Sequence, residues 1–189
     1  MNYLHRKLCS SVRWKQTVQQ YALPWALEQI ELGRKALEIG PGFGAATEVL
    51  QHKVEQLTCV ESDQKLAHSL LNKLNRNVAI RCEDATAMSL PNECFDSAIC
   101  FTMLHHVGSI ALQNKLFTEV ARVLRPGGVF VGTDSLKSRF FGLIHLFDTL
   151  VLVDPETLPQ RLTTVGFERV QVDVNPYAFR FRAWKPRLV

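Results

Sequence analysis

The chain is poor in the features that would send it to a membrane, a nucleic acid or an oxidising compartment. Its five cysteines contain no C-x-x-C pair, and Cys59, Cys82 and Cys100 fall inside expected core strands, where free cysteine behaves as a small buried hydrophobe. That argues against a disulfide framework and a zinc site and for a reducing, cytoplasmic setting. No long apolar run occurs: the most apolar stretch, Phe140 to Val153, is broken by His145 and Asp148 and is too short to span a bilayer. The N-terminus lacks a signal-peptide apolar region. Positive charge is modest, at net +4, and no dense basic stretch is interleaved with aromatics, so nothing argues for a nucleic-acid substrate. Apart from the adjacent pair His105-His106, the six histidines are scattered without metal-ligand spacing. Repeats and low-complexity tracts are absent.

What is present is a chain of 189 residues, 47% hydrophobic and 21% charged, suited to one soluble domain over 1–189. Its most informative segment is Leu-Glu-Ile-Gly-Pro-Gly-Phe-Gly, residues 37 to 44. Leu37, Glu38 and Ile39 read as the end of a buried strand. Gly40, Gly42 and Gly44 let the backbone turn tightly with no Cβ between it and a ligand. Ala45 to Gln51 can continue as a helix. Strand, glycine turn and helix are the parts of a nucleotide-binding crevice. Gly40-x-Gly42-x-x-Ala45 also fits the loose dinucleotide fingerprint, and a plain glycine turn would look the same. Glu38 separates the readings: a carboxylate there repels a pyrophosphate and attracts an ammonium. S-adenosylmethionine (SAM) carries an ammonium, a sulfonium and no phosphate.

Three downstream segments extend this reading. In Leu57-Thr-Cys-Val-Glu-Ser-Asp63, Glu61 closes a short apolar strand where either nucleotide family holds ribose hydroxyls. Ser62 or Asp63 can cap the helix beginning near Gln64. In Ile80-Arg-Cys-Glu-Asp-Ala85, Asp84 could accept from an adenine amino group beside a backbone N–H. Ala98 to Phe101 reads as a buried strand, a helix follows over Leu112 to Leu124, and Arg-Pro-Gly-Gly turns the chain into Val129-Phe-Val131.

On these residues the chain resembles the class I SAM-dependent methyltransferases, in the small-molecule branch related to ubiquinone and menaquinone methyltransferases (type 11). The resemblance runs from about Ala36 to Val131 and more weakly to Pro186. It implies a Rossmann-like, doubly wound α/β fold, with a mostly parallel seven-stranded sheet, an antiparallel last strand and helices on both faces. It implies SAM as cofactor, S-adenosylhomocysteine as product, and a cofactor site of Glu38, Gly40, Pro41, Gly42, Gly44, Glu61, Ser62, Asp84, Ala85 and Phe101. The glycine loop would wrap the methionine portion, Glu61 hold the ribose, and Asp84-Ala85 meet the adenine. Phe101-Thr102 would stand at the methyl-transfer site.

The remaining segments are read from their patterns. Residues 1–34 form a helical segment, with Trp14, Tyr21 and Trp25 at near-helical spacing, although Arg6, Lys7, Arg13 and Lys15 without an acid loosely suggest a transit peptide. A helix is expected from Pro155 to Val165, then strands Phe167 to Val174 and Ala178 to Trp184 joined by Asn175-Pro176-Tyr177. Residues 135–154 carry Phe140, Phe141, Ile144, His145, Phe147 and Asp148, and read either as a core helix or as a lid over an apolar acceptor. His106, with His105 second, is the candidate base for a phenol, enol or amine acceptor; both also fit as residues that open the next helix. The function so read is methyl transfer from SAM to a small, partly apolar molecule. The competing classes are a nicotinamide-dependent oxidoreductase, against which Glu38 and the closing hairpin count, and a non-catalytic SAM-binding protein. Neither the acceptor nor the oligomeric state is written in the pattern.

Overall fold

The computed structural model describes residues 2–187 apart from 72 and 147, and leaves aside the side chains of 139, 140 and 144. Seven strands form one sheet: β1 (Lys35–Ile39), β2 (Gln56–Val60), β3 (Val78–Arg81), β4 (Phe95–Phe101), β5 (Leu124–Ser135), β6 (Glu168–Val174) and β7 (Ala178–Trp184). Their order is β3-β2-β1-β4-β5-β7-β6. All neighbours pair in parallel except β7, which runs antiparallel to both β5 and β6. Strand order therefore reverses between β1 and β4, as the motif spacing implies, and a ligand crevice opens at such a reversal.

The helices are α1 (Tyr3–Cys9), α2 (Val12–Thr17), α3 (Leu23–Ala26), α4 (Thr47–Leu50), α5 (Gln64–Leu71), α6 (Ile110–Val123), α7 (Arg139–Ile144) and α8 (Leu158–Thr164). A π-helical turn over Val18–Ala22 joins α2 to α3. α6 starts where the Ser109 side chain accepts the Leu112 N–H, satisfying one of the donors that a first turn leaves free. It stops as Leu124 turns extended, with proline two residues on. Arg125 to Gly128 then bulge out of the sheet, since Phe95 pairs with Leu124 but Ser97 pairs with Val129.

The alternation of strand side chains sorts the core into two layers. Leu37, Ile39, Ala98, Cys100 and Phe130 face α6 and α8 through Leu116, Phe117, Val120, Leu158 and Leu162. Ala36, Cys59, Ile99, Phe101 and Val131 face the N-terminal helices and α4 through Val18, Leu23, Ala26 and Leu50. Each large side chain so enclosed contributes roughly 1.5–3 kcal/mol. Glu38 lies between Leu37 and Ile39, so its carboxylate is carried to the layer of the N-terminal helices. Two expectations change. Cys82 is exposed, because β3 is an edge strand that ends at Arg81. Tyr21 is 69% exposed, so Trp14 and not the whole aromatic series packs on that layer. Among the described residues, no helix is long and apolar enough to cross a membrane.

Candidate active site

The crevice at the strand reversal is a cavity of about 410 Å³ at the carboxyl ends of β1, β2 and β4. The glycine loop forms one wall. The Gly40 N–H donates to the Val60 carbonyl at 2.9 Å, and the Gly42 N–H donates to Glu61 Oε2 at 3.0 Å. Gly42 sits at φ +56°, where a side chain is disfavoured, and a Cβ there would project into open space. The bare backbone at Gly42 thus faces the cavity. Gly44 does not line it, contrary to expectation: a Cβ on Gly44 would strike Leu70 Cδ2 at 2.7 Å, so this glycine serves the packing of α5 beneath the loop.

Nine of the ten expected cofactor residues do border the cavity, namely Glu38, Gly40, Pro41, Gly42, Glu61, Ser62, Asp84, Ala85 and Phe101. Burial raises the Glu38 carboxyl to about 7, opposed only in part by contacts from Thr47 and Cys59. Glu61 is buried, and its two oxygens accept from Gly42 and, at 2.9 Å, from the Asp63 N–H. It therefore braces the loop, while each oxygen keeps a lone pair. Asp63 caps α5 by accepting from Lys65 and Leu66, and receives the Arg6 guanidinium at 3.3 Å. Asp84 is exposed and held by the Thr86 N–H at 2.8 Å.

A second cavity, of about 230 Å³, adjoins the first and shares His5, Cys9, Trp14 and Thr102 with it. Leu136, Phe141, Pro176 and Tyr177 give it an apolar wall. Residues 135–138, 141 and 145 line it, while Asp148 and Thr149 reach the first cavity; Phe147 and the side chains of Phe140 and Ile144 lie outside the described residues. Thr102, at the seam, takes a left-handed backbone with φ +48°. Such a conformation in a non-glycine residue is uncommon and clusters at functional sites.

At this seam the structure joins residues that the pattern kept apart. His105 Nδ1 lies 2.6 Å from Asp134 Oδ1, and the His105 backbone N–H donates to Asp134 Oδ2 at 3.1 Å. Both side chains are buried, and His105 Nε2 has no hydrogen-bond partner among the described residues. A carboxylate can only accept, so Nδ1 carries the proton and Nε2 presents a lone pair. His106 lines the first cavity, but burial, followed by neighbouring His105 and His5, pulls its pKa down to about 3. It is a neutral ring and a weak base at pH 7. Asp134 went unnoticed in the sequence; its one signal is an acid at the carboxyl end of a central strand. His5, His106 and His145 also converge, with one ring nitrogen of each within 4.8 Å of the others.

Comparison with known proteins agrees with this geometry. Residues 37–132, just over half of the chain, match the family described as "Methyltransferase domain". A Mycolicibacterium smegmatis protein named "Probable S-adenosylmethionine-dependent methyltransferase" is 28% identical over 140 residues, covering 72% of this chain and 52% of its own. The ubiquinone biosynthesis O-methyltransferase of Stutzerimonas stutzeri is 30% identical over 115 residues, covering 58% and 48%. The chain thus spans about half the length of these curated relatives. In fold it is similar to a SAM-dependent methyltransferase structure from Aquifex aeolicus, with TM-score 0.78, 17% identity and coverage of 97% of this chain and 98% of that one. The glycine loop, the reversed strand order and the family match together place the chain: it belongs to the class I SAM-dependent methyltransferases, in the type 11 branch.

Proposed function

We propose that this protein methylates a small, partly apolar acceptor, with SAM in the larger cavity and the acceptor in the smaller one. The observation that carries the reading is the adjacency of the two cavities, which share Thr102 in their walls, one bordered by Glu38, Glu61 and the bare Gly42 backbone, the other apolar and bordered by His105. Glu38 would take the ammonium, Glu61 the ribose hydroxyls with its remaining lone pairs, and Asp84 with Ala85 the adenine. The single domain over 1–189 would then use residues 1–34 and 135–154 as walls of the acceptor site.

When bound, SAM supplies a methyl carbon already made electrophilic by its sulfonium. The protein's task is alignment, which can lower a barrier by about 7–11 kcal/mol. Leu136, Phe141 and Trp14 would hold the acceptor and exclude water from the seam. His105 Nε2, buried beside the second cavity with its lone pair unused, would receive an acceptor O–H or N–H proton once the acceptor is seated, and Asp134 would stabilise the imidazolium so formed. Such general-base assistance is worth about 10²–10⁴-fold. This role would fall to His105 because Asp134 fixes its tautomer, whereas burial leaves His106 a weak base.

Calorimetric titration of SAM, S-adenosylhomocysteine and NAD, followed by turnover of labelled SAM with phenol, enol and amine acceptors, tests the reading. Binding of the first two without NAD, and label transfer to one acceptor class, is the expected result. NAD binding without SAM would restore the oxidoreductase reading. Tight SAM binding with no transfer to any acceptor would favour a binding protein.

A further inference from the structure

The methyl-transfer reading leaves three histidines without a task. His5 comes from α1, His106 from the 3₁₀ turn Leu104–His106 after β4, and His145 from the C-cap of α7. Their rings gather around one point. The His5 and His106 rings stack at 4.9 Å between centroids, His5 and His145 meet edge-on at 4.2 Å, and His106 and His145 lie 5.4 Å apart.

Two of the three rings are tautomerically fixed. His145 Nδ1 lies 2.8 Å from the Phe141 carbonyl, which only accepts, so its Nε2 holds the lone pair. That Nε2 is buried and has no hydrogen-bond partner among the described residues. His5 Nδ1 lies 3.0 Å from Asp148 Oδ2, and Asp148 is itself held through the Asn2 and Thr149 N–H groups. An imidazole with Nδ1–H tied to a carboxylate or carbonyl and Nε2 turned inward is the arrangement that orients metal-ligating histidine. A buried acceptor nitrogen with no donor near it also calls for a partner. No cation is needed to explain one such ring, but three converging rings with two backed in this way form a set.

We propose that His5, His106 and His145 bind one divalent cation of the zinc class at the seam of the two cavities. Zinc–nitrogen bonds of about 2.0–2.1 Å put tetrahedral ligand atoms roughly 3.4 Å apart; the ring nitrogens already lie within 4.8 Å of one another, and side-chain rotations on binding would close the difference. Three neutral imidazoles select zinc-like ions over magnesium or calcium. They also leave one position open, as catalytic three-histidine sites do. His5 borders both cavities, His106 the first and His145 the second, so the open position faces the seam. There the ion would ligate the acceptor's hydroxyl or thiol and lower its pKa. Cation binding stands on the histidines alone; its use on the acceptor rests on the methyl-transfer reading.

The test uses the full chain freed of any affinity tag. Cobalt(II) is titrated in the absence of SAM and acceptor, with ligand-field spectra and metal analysis after dialysis. One equivalent of cobalt with four-coordinate visible bands, displaced by zinc, is expected. His145→Ala and His106→Ala should abolish those bands, and Asp148→Asn should weaken binding about 10–100-fold. His52→Ala, at an exposed histidine, should change nothing. Thermal unfolding identifies any variant that fails to fold, and Asp148→Asn keeps all three ligands should the alanine variants do so. Absence of saturable one-equivalent binding by the unmodified protein overturns the site, as does binding that survives in folded His145→Ala and His106→Ala. A separate SAM titration distinguishes the failures: SAM binding without cobalt binding removes this site alone, and cobalt binding without SAM binding removes the methyl-transfer reading alone.

Discussion

Replacing Glu38 by glutamine should make the ligand-free protein more stable while weakening its hold on SAM. Burial moves this carboxyl from 4.5 to about 7, so the folded state binds its proton more tightly than the unfolded chain does. The resulting penalty is absent below about pH 4.5, grows as pH rises towards 7, and is fully present above that. At pH 8 the ionised carboxylate costs the fold roughly 3 kcal/mol, and at pH 5 less than about 1 kcal/mol. Glutamine has nearly the same shape and no charge. Glu38→Gln should therefore raise Tm at pH 8 by about 6–12 °C, and by much less at pH 5. Saturating SAM should reverse the order, because an arriving ammonium offsets the buried charge in the native protein only. SAM affinity should accordingly fall below pH 7 in the native protein and stay flat in the variant. Differential scanning calorimetry at the two pH values, with and without SAM, reads both effects. A variant no more stable than the native protein at pH 8, or one whose gain is the same at pH 5, would refute the reasoning.

Three further outcomes are expected. Gly42→Val should abolish SAM binding measured by calorimetry, because the side chain would enter the cavity; at φ +56° it should also lower Tm by a few degrees. Unchanged affinity in the folded variant would remove the loop from the site. Asp134→Asn should lower kcat about 10²–10⁴-fold and shift the acid limb of its pH profile, with SAM affinity unaltered, since His105 loses the group that fixes its tautomer. A loss of kcat with an unshifted profile would mean packing and not proton transfer. Phe141→Ala should raise the KM for the acceptor several-fold with little effect on SAM binding, as the ring borders only the second cavity; a fall in SAM affinity alone would contradict the division of the two cavities.

The sheet was legible because each central strand is a short apolar run followed by a polar or glycine turn, and because Glu38 breaks its run at one position. The hairpin of β6 and β7 came from plain alternation around Asn175-Pro176-Tyr177. Gly44 looked equivalent to Gly40 and Gly42, yet only the packing of Leu70 shows which side of the loop it serves. Cys82 looked buried because a strand pattern does not reveal that its strand is the edge. The pairing of His105 with Asp134 spans 29 residues, and that of His5 with Asp148 spans 143. Spacing rules follow local geometry along one helix or loop, so side chains brought together by sheet closure leave no such period. Segment 135–154 was ambiguous for the same reason: its aromatics fit a core face or a pocket wall, and what places Phe141 and His145 is their packing on His105, His106 and His5, which are distant in sequence.

The division of the chain around the seam has a consequence for redesign. Of the residues that border the second cavity, all but Thr102 and His105 lie outside the family segment 37–132. The second cavity is thus walled almost wholly by the flanks, while the first joins the glycine loop of the middle to His5, Trp14 and Asp148 of the flanks. On the proposed reading, changes in the leading helices, the stretch after β5 and the β6–β7 hairpin would retarget such a protein without disturbing its glycine loop or strand order. A chimera that exchanges these flanks between relatives would, on the same reading, carry its acceptor specificity with the flanks, and would alter SAM affinity only where His5, Trp14 or Asp148 changes.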